Sequence, residues 1–340
     1  MKTEYKPILA VTMGDATGSG PEIITKSLAE SFIGEICRPV VIGDAAVMRE
    51  ALQITGMSVE VRAIDDLSGA KFREGQIEVV DLHNIDMGKL VRGRVNAMAG
   101  GAAHEYIKLA AELALEGKVD AVVTSAINKE ALNSAGHAYN GHTELLAELF
   151  DAPDAAMMLV AGKLRVSHVS THLSLRSAIE KVRPERILTV LRLTHEALRE
   201  MGIDEPHIAV AGLNPHAGEG GLFGDEEAKF IIPAIEEGRR RGLKVTGPYP
   251  GDTVFSRTLQ GNFDAAVAMY HDQGHVAAKM LGIWQGVNVT LGLPIIRTSV
   301  EHGTDFENAG KGTSDPRSLN EALKLAAAMA GRRNSAASDG

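Results

Sequence analysis

Cysteine is nearly missing from this chain: Cys37 is the only one in 340 residues. Internal disulfides and cysteine-rich zinc modules are thereby excluded, and the usage fits a reducing compartment. Basic charge is scarce too. With 35 lysines and arginines against 44 aspartates and glutamates, the formal charge is −9, which argues against a nucleic-acid or anionic-membrane surface. Any anionic ligand must then be met by a few local groups. No apolar run reaches the roughly 18 residues of a membrane span, and MKTEYKPILAVTMGD lacks a signal-peptide pattern. Internal repeats are lacking as well. The expectation is a soluble, cytoplasmic protein with neither nucleic acid nor membrane as partner. Its residues are 44% hydrophobic, enough for a large core in one big or two medium domains.

Short β-rich apolar runs alternate with longer helical patterns. The runs ILAVTM (8–13), PVVIGD (39–44), VDAVVTS (119–125), LRVSHVST (164–171), HIAVAGLN (207–214) and FDAAVAMYH (263–271) read as strands. They are continuously apolar rather than alternating, as in a parallel sheet covered on both faces. PEIITKSLAESF, GAAHEYIKLAAELALEGK, PERILTVLRLTHEALREMG and EEAKFIIPAIEEGRRRGL read as helices. This alternation predicts an α/β fold with right-handed crossovers. AAMMLV and LRVSHVST, joined by AGK, predict an antiparallel hairpin and so a mixed sheet. The tail GRRNSAASDG has a disordered composition.

In open α/β sheets, ligands bind beyond the carboxyl ends of the strands. His172 follows RVSHVST, His216 follows IAVAGLN, and His271 follows AAVAMY. Three loops at one sheet edge can bring these imidazoles together, and neutral imidazoles suit a borderline divalent metal with an open position. The bland alternative is that strand-end histidines satisfy loop carbonyls.

Three further stretches attract attention. MGDATGSGPE (13–22) is a strand-to-helix turn with Gly14, Gly18 and Gly20, and Pro21 suits the first helical position. Its spacing mimics the nucleotide loop of short-chain dehydrogenases, but no tyrosine has lysine four residues on, so it reads only as a weak anion-binding signal. YNGHTELLAEL sets His142 and Thr143 at a helix start, which is either a phosphate seat or a plain helix cap. Lys279, Asn288 and Arg297 follow in AAKMLGIWQGVNVTLGLPIIRTS, where the two cations either clamp a phosphate or are solvated charges.

GHTE, STH, GLNPHAGEGG, DT, MYHDQGH, NVTLGLPIIRTS and HGT, in this order, resemble the 4-hydroxythreonine-4-phosphate dehydrogenase family. The likeness spans residues 7 to about 330. TSAINKEAL, SHVSTHLSLR, GLFGDEEA and YHDQGHV are similar to its branch acting on D-threonate or D-erythronate 4-phosphate. The family pattern GDPAGIGPE is changed here at Ala16, Thr17 and Ser19, which bears on specificity more than on fold.

The resemblance implies two α/β/α domains around a mostly parallel mixed sheet, like the isocitrate and isopropylmalate dehydrogenases, with the active site in the interdomain cleft. It places a cofactor-side domain at 1–125 plus 300–330, a metal, substrate and dimerisation domain at 126–299, and a flexible tail at 331–340. It implies a homodimer that shares its active sites between subunits. His172, His216 and His271 become ligands of one divalent ion (zinc, magnesium, manganese or cobalt). His142, Thr143, Lys279, Asn288 and Arg297 become contacts of a small phosphorylated substrate. EHGTDFENAGKG resembles the superfamily's cofactor loop, which assigns His302, Gly303, Thr304, Asp305 and Asn308 to NAD.

The implied activity is NAD- and metal-dependent oxidative decarboxylation of a 4-phosphorylated four-carbon hydroxy acid, giving dihydroxyacetone phosphate and CO2. Lys279 is the expected proton-transfer residue, and Asp252 and Asp272 the expected orienters of the histidines. The alternatives are 4-hydroxy-L-threonine 4-phosphate oxidation in pyridoxal phosphate synthesis, a dihydrodiol dehydrogenase, a metal-dependent hydrolase, and a phosphosugar-binding protein without turnover.

Overall fold

The computed structural model describes residues 5–139, 141–282 and 286–338, with side chains to residue 335. The chain divides into two compact units, Met1–Pro153 with Leu293–Gly340, and Asp154–Gly292.

The first unit carries β1 (Ile8–Thr12), β2 (Arg38–Gly43), β3 (Glu60–Ile64), β4 (Gln76–Asp81), β5 (Ala121–Thr124) and β12 (Ile296–Val300). Their order is β3-β4-β2-β1-β5-β12, parallel throughout. Its helices are α1 (Gly20–Leu28), α2 (Ser31–Ile36), α3 (Ala45–Thr55), α4 (Ala97–Leu115), α5 (Lys129–Ser134), α6 (His142–Leu149) and α12 (Arg317–Ser338). Local chemistry starts several of them. Pro21 stands in the first turn of α1, and the Asp44 carboxylate caps α3 by accepting from Ala46 N and Val47 N.

The second unit carries β6 (Ala156–Ala161), β7 (Leu164–His168), β8 (His207–Ala211), β9 (Lys244–Tyr249), β10 (Ala265–Ala268) and β11 (Gly286–Leu291). Their order is β11-β6-β7-β10-β8-β9. β6 is antiparallel to both β11 and β7, and the remaining pairs are parallel. The hairpin and mixed sheet expected from AAMMLV and LRVSHVST are present. Helices α7 (Leu175–Lys181), α8 (Pro184–Glu200), α9 (Ile232–Arg240), α10 (Val254–Leu259) and α11 (His271–Lys279) complete this unit.

Several expectations shift. β3, β4, β9, β11 and β12 are additional strands; β3 alternates Glu, Val, Arg and Ala, and β9 contains Pro248, which an edge strand tolerates. The single helix read over EEAKFIIPAIEEGRRRGL opens as a π-helical turn, Glu227–Ile231, ahead of Pro233, whose ring and missing N–H disrupt the regular pattern. The boundary drawn at 125/126 and 299/300 is displaced as well. Residues 126–153 and β12 belong to the first unit, because β12 pairs with β5. The segment read as a flexible tail from 331 is helical to Ser338, tied down by Arg333 on Pro294 O and Asn334 on Asp120; residues 339–340 lie outside the described residues. No helix among the described residues is long and apolar enough to cross a membrane.

Candidate active site

The strand ends hold the chemistry in each unit. In the first, β5 delivers Thr124 and β12 delivers Arg297, which pair across the sheet at the positions Val122↔Arg297 and Thr124↔Ser299. Arg297 is 1% exposed and donates through Nη2 to Thr124 Oγ1 at 2.6 Å. Burial lowers its pKa to about 9. His142 opens α6, and its buried Nε2 has no hydrogen-bond partner. Burial, reinforced by the Arg297 guanidinium, holds His142 well below the ordinary histidine pKa, so it is neutral beside that cation. Thr143 follows in the first turn. Gly141, not Thr143, occupies the cap position, so the cap reading of Thr143 does not hold. A neutral imidazole, a buried guanidinium and a helix start are groups that can receive a phosphate.

In the glycine loop after β1, four N–H groups donate inside the protein: Asp15 to Ala126 O, Thr17 to Asp15 Oδ1, Gly18 to Asp15 O and Ser19 to Thr304 O. Gly14 is left-handed, and a Cβ there would stand 2.4 Å from Ala126 O. A Cβ on Gly18 would meet Thr304 O at 2.6 Å. Glycine is thus required for the loop to lie against the Thr304 segment. That segment is braced further: Glu22 accepts from Gly310 N and Gly312 N, and Lys26 Nζ donates to Gly312 O and Ser314 O. Within it, Asp305 is left-handed and accepts from Asn308 Nδ2, and His302 Nδ1 lies 2.8 Å from Gly303 O. A Cβ on Gly303 would meet open space.

In the second unit, His172 follows β7 with φ 39° and His271 begins α11 after β10. Their rings lie 5.6 Å apart, beside a pocket lined by Ser170, Thr171, Leu175 and Tyr270 among others. His271 Nδ1 is 2.6 Å from Asp272 Oδ1. His216 sits in a left-handed run from His216 to Gly220, with its Nδ1 3.0 Å from Glu219 Oε2. For non-glycine residues that conformation costs roughly 1–2 kcal/mol each, so the loop is held by its surroundings rather than by preference.

This donor set suits a divalent ion. In His216 and His271 a carboxylate takes Nδ1, so Nε2 is the ring atom that could ligate an ion. The three imidazoles do not, however, form one group: among the described residues no set of three histidine, cysteine, aspartate or glutamate side chains is placed to hold a metal ion. The structure pairs His172 with His271, while His216 is turned onto Glu219 and Phe223. Asp272, expected as an orienter, places Oδ1 at hydrogen-bond distance from His271 Nδ1. Among the described residues, no hydrogen bond connects the exposed Asp252 to a histidine. Lys279 ends α11, eight residues from His271 and so about 12 Å along the axis, and it is exposed. Asn288 lies on β11 opposite Leu159, its buried Oδ1 without a partner.

Sequence reading overlooked Glu219 and two more histidines. His275 stacks on His271 with ring centroids 3.6 Å apart, and His168 lies 4.8 Å beyond it, 1% exposed. The i, i+4 spacing of His271 and His275 was a usable signal. Burial, followed by the nearby His275 ring, brings His168 down to about 3. Its folded pKa is therefore below the unfolded value of about 6.5. The unfolded chain binds the extra proton between these values, so His168's contribution is undiminished above about pH 6.5 and stability falls as pH drops toward 3. The slope is about 1.4 kcal/mol per pH unit. His168→Gln is expected to remove about one proton from the pH dependence of unfolding free energy between pH 6 and 4.5, measured by urea titration. An unchanged slope would contradict a neutral buried His168.

The two units, with their strand-end site residues, are those of an α/β oxidoreductase acting on a CH–OH group. The pyridoxal phosphate biosynthetic protein PdxA family model matches residues 35–326, and the chain belongs to that family. D-threonate 4-phosphate dehydrogenase from Cupriavidus necator is 50% identical over 332 residues, 97% of this chain and 99% of the relative. The crystal structure of a 4-hydroxythreonine-4-phosphate dehydrogenase from Burkholderia phymatum is 50% identical with TM-score 0.84, covering 96% of this chain and 98% of that one. The Klebsiella pneumoniae protein of the same name is 47% identical with TM-score 0.88, covering 97% and 99%.

Proposed function

We propose that this chain is a cytoplasmic, NAD-dependent enzyme that oxidises and decarboxylates D-threonate or D-erythronate 4-phosphate to dihydroxyacetone phosphate and CO2. The observation that carries this reading is the buried Arg297 guanidinium beside neutral His142, which suits a doubly charged phosphate in an otherwise acidic protein. Whole-length likeness to the Cupriavidus necator enzyme supports the substrate class.

When bound, a nicotinamide would supply the hydride acceptor for carbon 3 and a divalent ion would supply a Lewis acid. The chain's own groups do the rest. Arg297, His142 and Thr143 grip the phosphate, and Asn288 orients the acid. His172, His216 and His271 would hold the metal, with Asp272 and Glu219 fixing two of the rings through Nδ1. His302, Gly303, Thr304, Asp305 and Asn308 would hold the cofactor. Once CO2 departs from carbon 2, Lys279 supplies the proton that carbon needs.

The reading includes a homodimer with shared sites. It is supported by the position of His216 apart from the His172–His271 pair, and of Lys279 at the far end of α11 from His271. Leu173, Leu175, Val276 and Met280 expose 47%, 58%, 61% and 82% of their surface in the single chain, an apolar area suited to a second copy.

A second reading, 4-hydroxy-L-threonine 4-phosphate oxidation for pyridoxal phosphate synthesis, is favoured by the family description and the names of the solved neighbours. The two substrates differ at carbon 2, which carries a hydroxyl in one and an ammonium in the other. A pocket that leaves the wrong polar group unpaired discriminates strongly. NADH formation by one preparation with one metal is expected to give a kcat/KM at least about tenfold higher for the hydroxy acid phosphates. Equal or reversed values would move the assignment to the vitamin route and leave the family unchanged.

A further inference from the structure

The loop that carries His216 is wrapped around a buried carboxylate from a different element. Glu227, the first residue of the π-helical turn, is 4% exposed. Its Oε1 accepts from Leu213 N at 2.8 Å and from Asn214 N at 2.7 Å, and its Oε2 accepts from Asn214 Nδ2 at 2.9 Å. Glu226 Oε2 takes the same amide at 2.7 Å. The loop lies so close that a Cβ on Gly218 would stand 2.8 Å from Glu227 Oε2, and one on Gly212 3.2 Å from Oε1. His216, Ala217 and Glu219 are all left-handed, a backbone their own side chains disfavour. Three hydrogen bonds to one buried carboxylate anchor the start of this disfavoured run at Leu213 and Asn214. Glu227 thus stands at the start of a π-helical turn, a rare element found frequently at functional sites.

We propose that Glu227 is the positioning residue of the metal site: it sets the backbone from which His216 is presented and touches neither metal nor substrate itself. The inference rests on the reading of His216 as a metal ligand. It separates Glu227 from Glu219, which acts on the ring directly.

The test uses cobalt(II) as probe with the full-length protein. Cobalt dissociation constants and visible absorption are measured for wild type, Glu227→Gln, His216→Ala and the double variant, with thermal unfolding of each metal-free protein alongside. Glu227→Gln keeps the shape and loses the charge. It is expected to weaken cobalt binding about 10- to 100-fold, the usual effect of a supporting partner. The same substitution is expected to add nothing in the His216→Ala background, because its effect passes through that ring. Unchanged affinity in Glu227→Gln, or an equal loss with and without His216, overturns the proposal. Unchanged affinity in His216→Ala removes the ligand reading itself, a failure distinct from that of Glu227 alone. Should Glu227→Gln not fold, Asn214→Ala removes one of the three donors and is measured in the same cycle. A loss confined to proteins that retain His216 supports the proposal, and any other result overturns it.

Discussion

His271→Ala is expected to lose the divalent ion on dialysis and to drop kcat/KM by about a thousandfold or more. The estimate follows from the several kcal/mol that a Lewis acid contributes where charge develops on oxygen, at 1.36 kcal/mol for each factor of ten. His271 is singled out because three contacts define its ring: Asp272 at Nδ1, the stacked His275 and the facing His172. His172→Ala is expected to behave alike. Asp272→Asn should be milder, about 10- to 100-fold in metal affinity, since it removes an orienting partner and leaves the ligand. NAD affinity is expected to stay near wild type in all three, because none of these residues belongs to the loop assigned to the cofactor. Metal content by elemental analysis and NADH production together check this. Wild-type turnover with wild-type metal content in His271→Ala would end the histidine-ligand reading.

The second large effect is expected at the phosphate. Arg297→Ala removes a buried, charged donor, a loss that typically costs about 2–5 kcal/mol, or roughly 30- to 4,000-fold in kcat/KM. Most of the preference for the phosphorylated acid over the free acid should vanish with it. Arg297→Lys is expected to recover little, since an ammonium cannot offer the planar fork. Thr124 Oγ1 loses its donor in either variant, so thermal unfolding is measured in parallel to separate folding from binding. A folded Arg297→Ala enzyme with unchanged preference for the phosphorylated acid would place the phosphate elsewhere.

Much of the fold was legible in local sequence because the apolar runs are short, unbroken and bounded by glycine, proline or aspartate. Those properties mark β1, β2, β5, β7, β8 and β10 whatever their neighbours are. The hairpin of β6 and β7 was legible for the same reason, with only Gly162 and Lys163 between its strands. β3 and β9 were not, because an edge strand tolerates polar residues and a proline that a central strand excludes. The division into units was misread at β12, whose partner β5 lies far away along the chain. A strand's own residues do not name its neighbour.

The candidate site divides in a similar way. The sequence by itself determined which groups are available: three strand-end histidines, a helix-start His142 and Thr143, and one arginine in IIRTS. It also determined that any anionic ligand must be met by a few local groups, since the chain as a whole is acidic. Only the tertiary structure decided their states and companions. Burial beside Arg297 makes His142 neutral. Glu219 and Asp272, rather than Asp252 and Asp272, take the imidazole Nδ1 atoms. Helical rise carries Lys279 away from His271, and a carboxylate on a π turn underpins the loop of His216. The reason is physical: residue identity is local, whereas protonation, orientation and partnership depend on dielectric and distance, and those exist only once distant segments are packed together.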